Sequence, residues 1–155
     1  MMKIGTKGKT MDKRFFENWF TCLNDGLEKM SGEECSRLFS ECAKFCSHDA
    51  LINLYLTLFN ECGKNFDKFF PRLSEKKDLD GKVIEPGKVY ELTFTKCGCP
   101  LHSQMNVNSE RLCECSTQSM ICVFNSLAPE KEIKIERIES ILAGGEKCIH
   151  RITIE

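Results

Sequence analysis

The chain has 155 residues with 22 basic and 23 acidic side chains, a formal charge of −1. So even a balance creates no global field to gather nucleic acid or an acidic membrane surface, and no apolar run approaches the roughly 20 residues that a membrane-spanning helix needs. The first ten residues are rich in Lys and Gly without the apolar stretch of a secretory signal, which sets the expectation of a cytoplasmic protein of single-domain length.

Apolar residues Phe15, Phe16, Trp19, Phe20, Leu23, Leu27 and Met30 recur at three- and four-residue steps, predicting an amphipathic helix over about residues 12–30. Ser31 with Glu34 makes a capping box that opens a second helix, to about residue 47. Asp49 caps a third, which carries Ile52, Tyr55, Leu56, Phe59 and Cys62 and stops at Gly63; a short turn over residues 66–70 precedes Pro71. The polar stretch 74–87 reads as a connector between a helical half, 1–73, and a half of strands plus one helix, 88–155. There Tyr90, Leu92 and Phe94 alternate with polar residues as a strand. Ser116 caps a helix whose Met120, Ile121, Phe124 and Leu127 lie on one side and which Pro129 ends. A strand begun by Ile133 and Ile135 turns at Gly144-Gly145 into a last strand with Cys148, His150, Ile152 and Ile154 on one face. The expected fold is a single α+β domain, N-terminal helices packed on a small antiparallel sheet with one further helix. Its basic clusters, Lys3, Lys7, Lys9, Lys13, Arg14 and Lys76, Lys77, lack interleaved aromatics and read as solvated surface.

Eleven cysteines in this length need a reason, and an odd count in a reducing compartment argues against a closed disulfide framework. Packing, metal ligation and reactivity remain. In Cys97-Gly98-Cys99 and Cys113-Glu114-Cys115 an extended chain points both thiols the same way, on the order of 6–7 Å apart. Two thiolates each about 2.3 Å from one zinc lie within roughly 4 Å, so each motif needs a bend, which Gly98 and the turn into the Ser116 helix supply. On this reading Cys97, Cys99, Cys113 and Cys115 are ligands for zinc or another thiophilic metal, or the thiols of a small-molecule pocket, with Cys148 and His150 lining the same site. The sulfurs of the two motifs are expected to share one cavity.

Cys35, Cys42 and Cys46, with Phe39, fall near one line of the second helix. They are a packing seam or, for Cys42 and Cys46 one turn apart, outer metal candidates. Cys22, Cys62 and Cys122 read as core filler. The rival function is a hydrolase with Cys113 or Cys115 as nucleophile, favoured as thiolate near a helix N-terminus, and His102 or His150 as base. Against it stand Cys148 as plain core and His150 as a hydrogen-bonded, partly buried imidazole. An interaction module with incidental cysteines, homodimer included, is the third class. Glu136, Arg137 and Glu139 read as the charged run of a solvated strand edge.

A helical first half, then Cys97-Gly98-Cys99-Pro100, then Cys113-Glu114-Cys115-Ser116 opening a helix, then Ile-Glu-Arg-Ile-Glu-Ser-Ile-Leu-Ala-Gly-Gly-Glu-Lys-Cys-Ile-His-Arg-Ile over residues 135–152, resembles an uncharacterised family of small bacterial cysteine-rich proteins. It is distantly similar to vinyl-4-reductase-type ligand-binding domains and to the aminothiazoline-carboxylate hydrolase family, over roughly residues 88–155. Their closing hairpin ends in Gly-Asp-x-x-Cys-x-Phe-x-Ile; here Glu146 replaces Asp, Cys148 stands one place nearer the glycine and His150 replaces the aromatic. The resemblance implies an antiparallel sheet with helices on one side, a pocket between them, and cysteines that meet a metal ion or a small hydrophobic ligand.

Overall fold

Local capping chemistry sets the helix boundaries in the computed structural model, which describes residues 13–47, 49–105 and 108–155. The Lys3, Lys7 and Lys9 cluster lies outside these residues, as does the Asp49 side chain. Helix α1 spans Lys13–Leu27, and α2, Gly32–Cys46, starts at the expected capping box: Glu34 N donates to Ser31 Oγ at 3.2 Å, and Ser31 N to Glu34 Oε2 at 2.8 Å. Helix α3, Asp49–Glu61, ends at Gly63, whose φ of 65° is the left-handed stop. Residues expected as a short turn instead form helix α4, Phe66–Leu73. Its N-cap Asn65 accepts from Lys68 N at 3.1 Å, and Pro71 is held inside it.

The chain then departs from the expected connector. Leu79–Glu85 is strand β1, paired antiparallel with β2, Val89–Phe94. The polar run had hidden it because its inward positions are Leu79, Gly81 and Val83, of which only two carry an apolar side chain. After a short helix α5, Pro100–Met105, comes α6, Cys113–Leu127, then strands β3, Ile133–Glu139, and β4, Cys148–Ile154. The four strands lie in the order β1-β2-β4-β3, all antiparallel. The β3–β4 connection is longer than a two-residue hairpin: a 3-10 turn, Ile141–Ala143, precedes Gly144 at φ 90°.

One face of the sheet meets the helices. Tyr90, Leu92, Ile152 and Ile154 from the sheet pack with Phe69 and Phe70 of α4 and Phe124 of α6 as the main core. Its centre is a run of rings: Tyr90 stacks on Phe70 at 4.4 Å, and Phe70 on Phe124 at 5.6 Å. A second cluster, Leu27, Cys35, Phe39 and Leu112, joins α1, α2 and the turn before α6. Helix α2 lies along α6, tied by Ser36 Oγ donating to Glu114 Oε1 at 2.7 Å. Helix α6 therefore has the sheet on one side and α2 on the other. No described helix is long and apolar enough to cross a membrane.

Candidate functional site

Ser116 does not open α6. A 3-10 turn, Glu110–Leu112, capped by Ser109 Oγ accepting from Arg111 N, leads straight into Cys113 as the first residue of the helix. Cys113 and Cys115 are thus helical rather than extended. Two steps of 100° send their side chains about 200° apart, one to each neighbour of α6. Cys113 thus meets Cys97 and Cys148 while Cys115 meets Cys46 and Cys42, and Cys99 acts on both Cys97 and Cys115.

On the sheet side, Cys113 is 9% exposed and its Sγ lies 3.0 Å from Ser140 Oγ, at the end of β3. Burial pushes its thiol up, Ser140 and the Arg137 guanidinium pull the other way, and Cys148 and Cys97 add to the upward push. Cys97 is raised in turn, chiefly by burial, against a backbone hydrogen bond from Cys99 that lowers it, with the charges of Cys148 and Cys99 adding to the rise. Cys97, Cys113 and Cys148 therefore lie within electrostatic reach of one another. Cys97 and Cys113, both raised, stay thiols at neutral pH.

The same end of the sheet holds two polar groups without partners. Register sets His150 of β4 beside Arg137 of β3 and Leu92 of β2, all on the inner face. His150 is 1% exposed, and neither Nδ1 nor Nε2 has a hydrogen-bond partner; Arg137 Nη1 is buried and equally unpaired. Here the sequence reading is corrected twice: the imidazole is fully buried and unbonded, and Arg137 belongs to the inner face, since alternation sends Lys134, Glu136 and Ile138 outward. Desolvation first, then repulsion from Arg137, lowers the imidazole to about 4, with Glu114 opposing. Neither ring nitrogen of His150 is hydrogen-bonded to a thiol. His102 lies on α5, partly buried.

Next to this cluster opens a recess of about 440 Å³, walled by Arg137, Ser140, Glu139, Glu110 and the Gly144-Gly145 bend. Glu139 Oε1 is already engaged by Glu146 N at 2.8 Å and Lys147 N at 3.1 Å.

On the α2 side, Cys115 Sγ stands 3.9 Å from Cys46 Sγ. Its thiol is pushed up to about 12, by burial first and then by Cys46, Cys42 and Cys99. The α2 seam runs through Cys35, Phe39, Ala43 and Ser47, all buried, while Cys42 and Cys46 are exposed at its edge. Four-residue steps advance about 40° beyond a full turn, so the buried line drifts away from the thiol line along the helix. Of the three expected filler cysteines, Cys62 is buried in the main core, Cys22 is exposed and Cys122 half-buried. Among the described residues no three His, Cys, Asp or Glu side chains stand together in metal-holding geometry.

No family model matches the chain, and no curated protein does. Among solved structures it is similar to trafficking protein particle complex subunit 3 from Naegleria fowleri, covalently bound to palmitic acid, at 10% identity and a TM-score of 0.43 over 95% of this chain and 97% of that one. A likeness at that level carries no ligand, modification or partner over to this chain.

Proposed function

We propose that this protein binds a small carboxylate in the recess walled by Arg137, Ser140 and the Gly144-Gly145 bend, at the ends of β3 and β4. The observation that carries this is His150, 1% exposed with both ring nitrogens unpaired, beside the unpaired Nη1 of Arg137. Buried polar groups are nearly always bonded, and each one left unmade costs about 1–3 kcal/mol. A carboxylate accepting from the guanidinium and from the imidazole N–H relieves both at once, in the bidentate manner to which Arg is suited. About 440 Å³ suits a molecule of metabolite size, and Ser140 of the recess wall is in contact with Cys113 Sγ.

The test is a titration of acetate, pyruvate and benzoate, read by thermal stability and by NMR of the His150 imidazole. A bound anion offsets the repulsion from Arg137, so the imidazole titration moves upward on binding and the melting temperature rises. Arg137→Gln loses both responses. If none of the three anions at millimolar concentration moves either reading in the unmodified protein, the proposal is wrong.

A further inference from the structure

We propose that Cys42, Cys46, Cys99 and Cys115 close around one thiophilic divalent cation of the zinc class, clamping α2 to α6. This site lies on the opposite side of α6 from the carboxylate recess and does not depend on it.

Half of the site stands ready. Two thiolates on one tetrahedral zinc, each about 2.3 Å from the metal, are roughly 3.8 Å apart. Cys46 Sγ and Cys115 Sγ, from different helices, are 3.9 Å apart. That is the separation of two thiols in contact and also the one a tetrahedral zinc requires, and it occurs at the rim of a helix interface, where Cys46 is exposed rather than sealed in. Elsewhere along the same interface Ser36 Oγ of α2 donates to Glu114 Oε1 of α6, a carboxylate that Gln118 Nε2 holds within α6 at 2.9 Å.

The other two ligands are the thiols of Cys42 and Cys99. Cys42 is one turn before Cys46 on α2 and exposed, so its single side-chain torsion turns without displacing packed neighbours. Cys99 is half-buried just before α5, and Gly98 beside it has open space where a side chain would be, leaving that segment room to shift. Both already act electrostatically on Cys115. Since no three ligands are in place at once among the described residues, the metal draws Cys42 and Cys99 in and displaces the thiol protons as it binds.

The probe is Co²⁺ added to the reduced full-length protein under argon, followed by Zn²⁺ competition. One equivalent is expected to give the visible d–d bands and near-ultraviolet charge-transfer absorption of a tetrahedral thiolate site, which Zn²⁺ bleaches, and Zn²⁺ is expected to raise the melting temperature. Cys46→Ser and, separately, Cys42→Ser lower the affinity at least tenfold, whereas Cys22→Ser and Arg137→Gln leave it unchanged. Circular dichroism confirms that the exposed-site variants fold. Absence of a thiolate spectrum in the unmodified reduced protein, or a spectrum that persists in Cys42→Ser/Cys46→Ser, overturns the clamp. So does air oxidation to a Cys46–Cys115 disulfide in a protein whose reduced form takes up no metal.

Discussion

Cys113 Sγ and Ser140 Oγ meet at 3.0 Å with both residues buried, joining the first turn of α6 to the end of β3. Ser140 also accepts from Leu142 N at 3.2 Å through the same hydroxyl, capping the 3-10 turn that leads to Gly144. One oxygen thus fixes a thiol, a helix start and the connection that walls the recess.

Replacing that hydroxyl, Ser140→Ala, removes a contact that favours the Cys113 thiolate and uncaps the turn. The Cys113 thiol then moves further up, so its alkylation by iodoacetamide slows relative to the exposed Cys22 and Cys42. Losing one buried hydrogen bond and one cap is expected to cost about 1–2 kcal/mol, or roughly 2–8 °C in melting temperature for a chain of this size. Mass-spectrometric mapping of labelled cysteines over time, beside a thermal melt, checks both. Faster labelling of Cys113 in the variant at unchanged stability would contradict this account of the contact.

His150 makes the fold sensitive to mild acid. Its folded value, about 4, lies below the ordinary 6.5, so above pH 6.5 neither folded nor unfolded chain holds the proton and the residue is neutral to stability. Between pH 6.5 and about 4 the unfolded chain binds a proton that the folded chain refuses, and stability falls as pH falls. The loss over that window amounts to about 3 kcal/mol. His150→Leu, an apolar side chain closer in volume, removes this component where the imidazole now meets the Phe94 ring. Urea melts at half-unit intervals from pH 7.5 to 4 are expected to show wild type and variant diverging only below pH 6.5. Parallel curves through that window would mean that the imidazole protonates freely in the folded state.

How much of this was legible in the residues follows from where the signals are local. The Ser31 and Glu34 box, the Gly63 stop and the alternation of Tyr90, Leu92 and Phe94 depend on neighbours in sequence, and each stands as the pattern predicts. Helix α6 did not, because Ser116 is as good a local cap as any; the start moved to Cys113 once Ser109 capped the preceding turn and Leu112 was buried in the α1–α2 cluster. That shift of three residues carries the functional consequence, turning co-facing thiols into diverging ones. The pairing of Cys46 with Cys115 across 69 positions, and the meeting of His150 with Arg137, are set by packing and strand register. Periodicity put Cys42 and Cys46 on one helical line, but no sequence signal says which helix that line faces.

Gly81 shows the same division between local and global information, and it supports the last prediction. In sequence it reads as one more turn residue in a polar run; in the fold it sits mid-strand in β1, opposite Leu92, under the carbonyl of Phe70. A Cβ at this position would lie 2.0 Å from the Phe70 oxygen and 2.8 Å from its carbon, both backbone atoms of α4. Nothing flexible is available to move aside, because Phe70 is fully buried between Tyr90 and Phe124, and Ser74 Oγ accepts from Gly81 N at 2.9 Å. Gly81→Ala must therefore lift β1 off α4 or break the ring stack. We expect a loss of at least about 3 kcal/mol, seen as a melting temperature lower by roughly 6–12 °C or as failure to fold. Gly98→Ala, which meets open space, is the matched control and is expected to melt within about 2 °C of the parent. Equal melting of the two variants would show that β1 does not press on α4, and would remove the reason why a glycine interrupts the inward face of that strand.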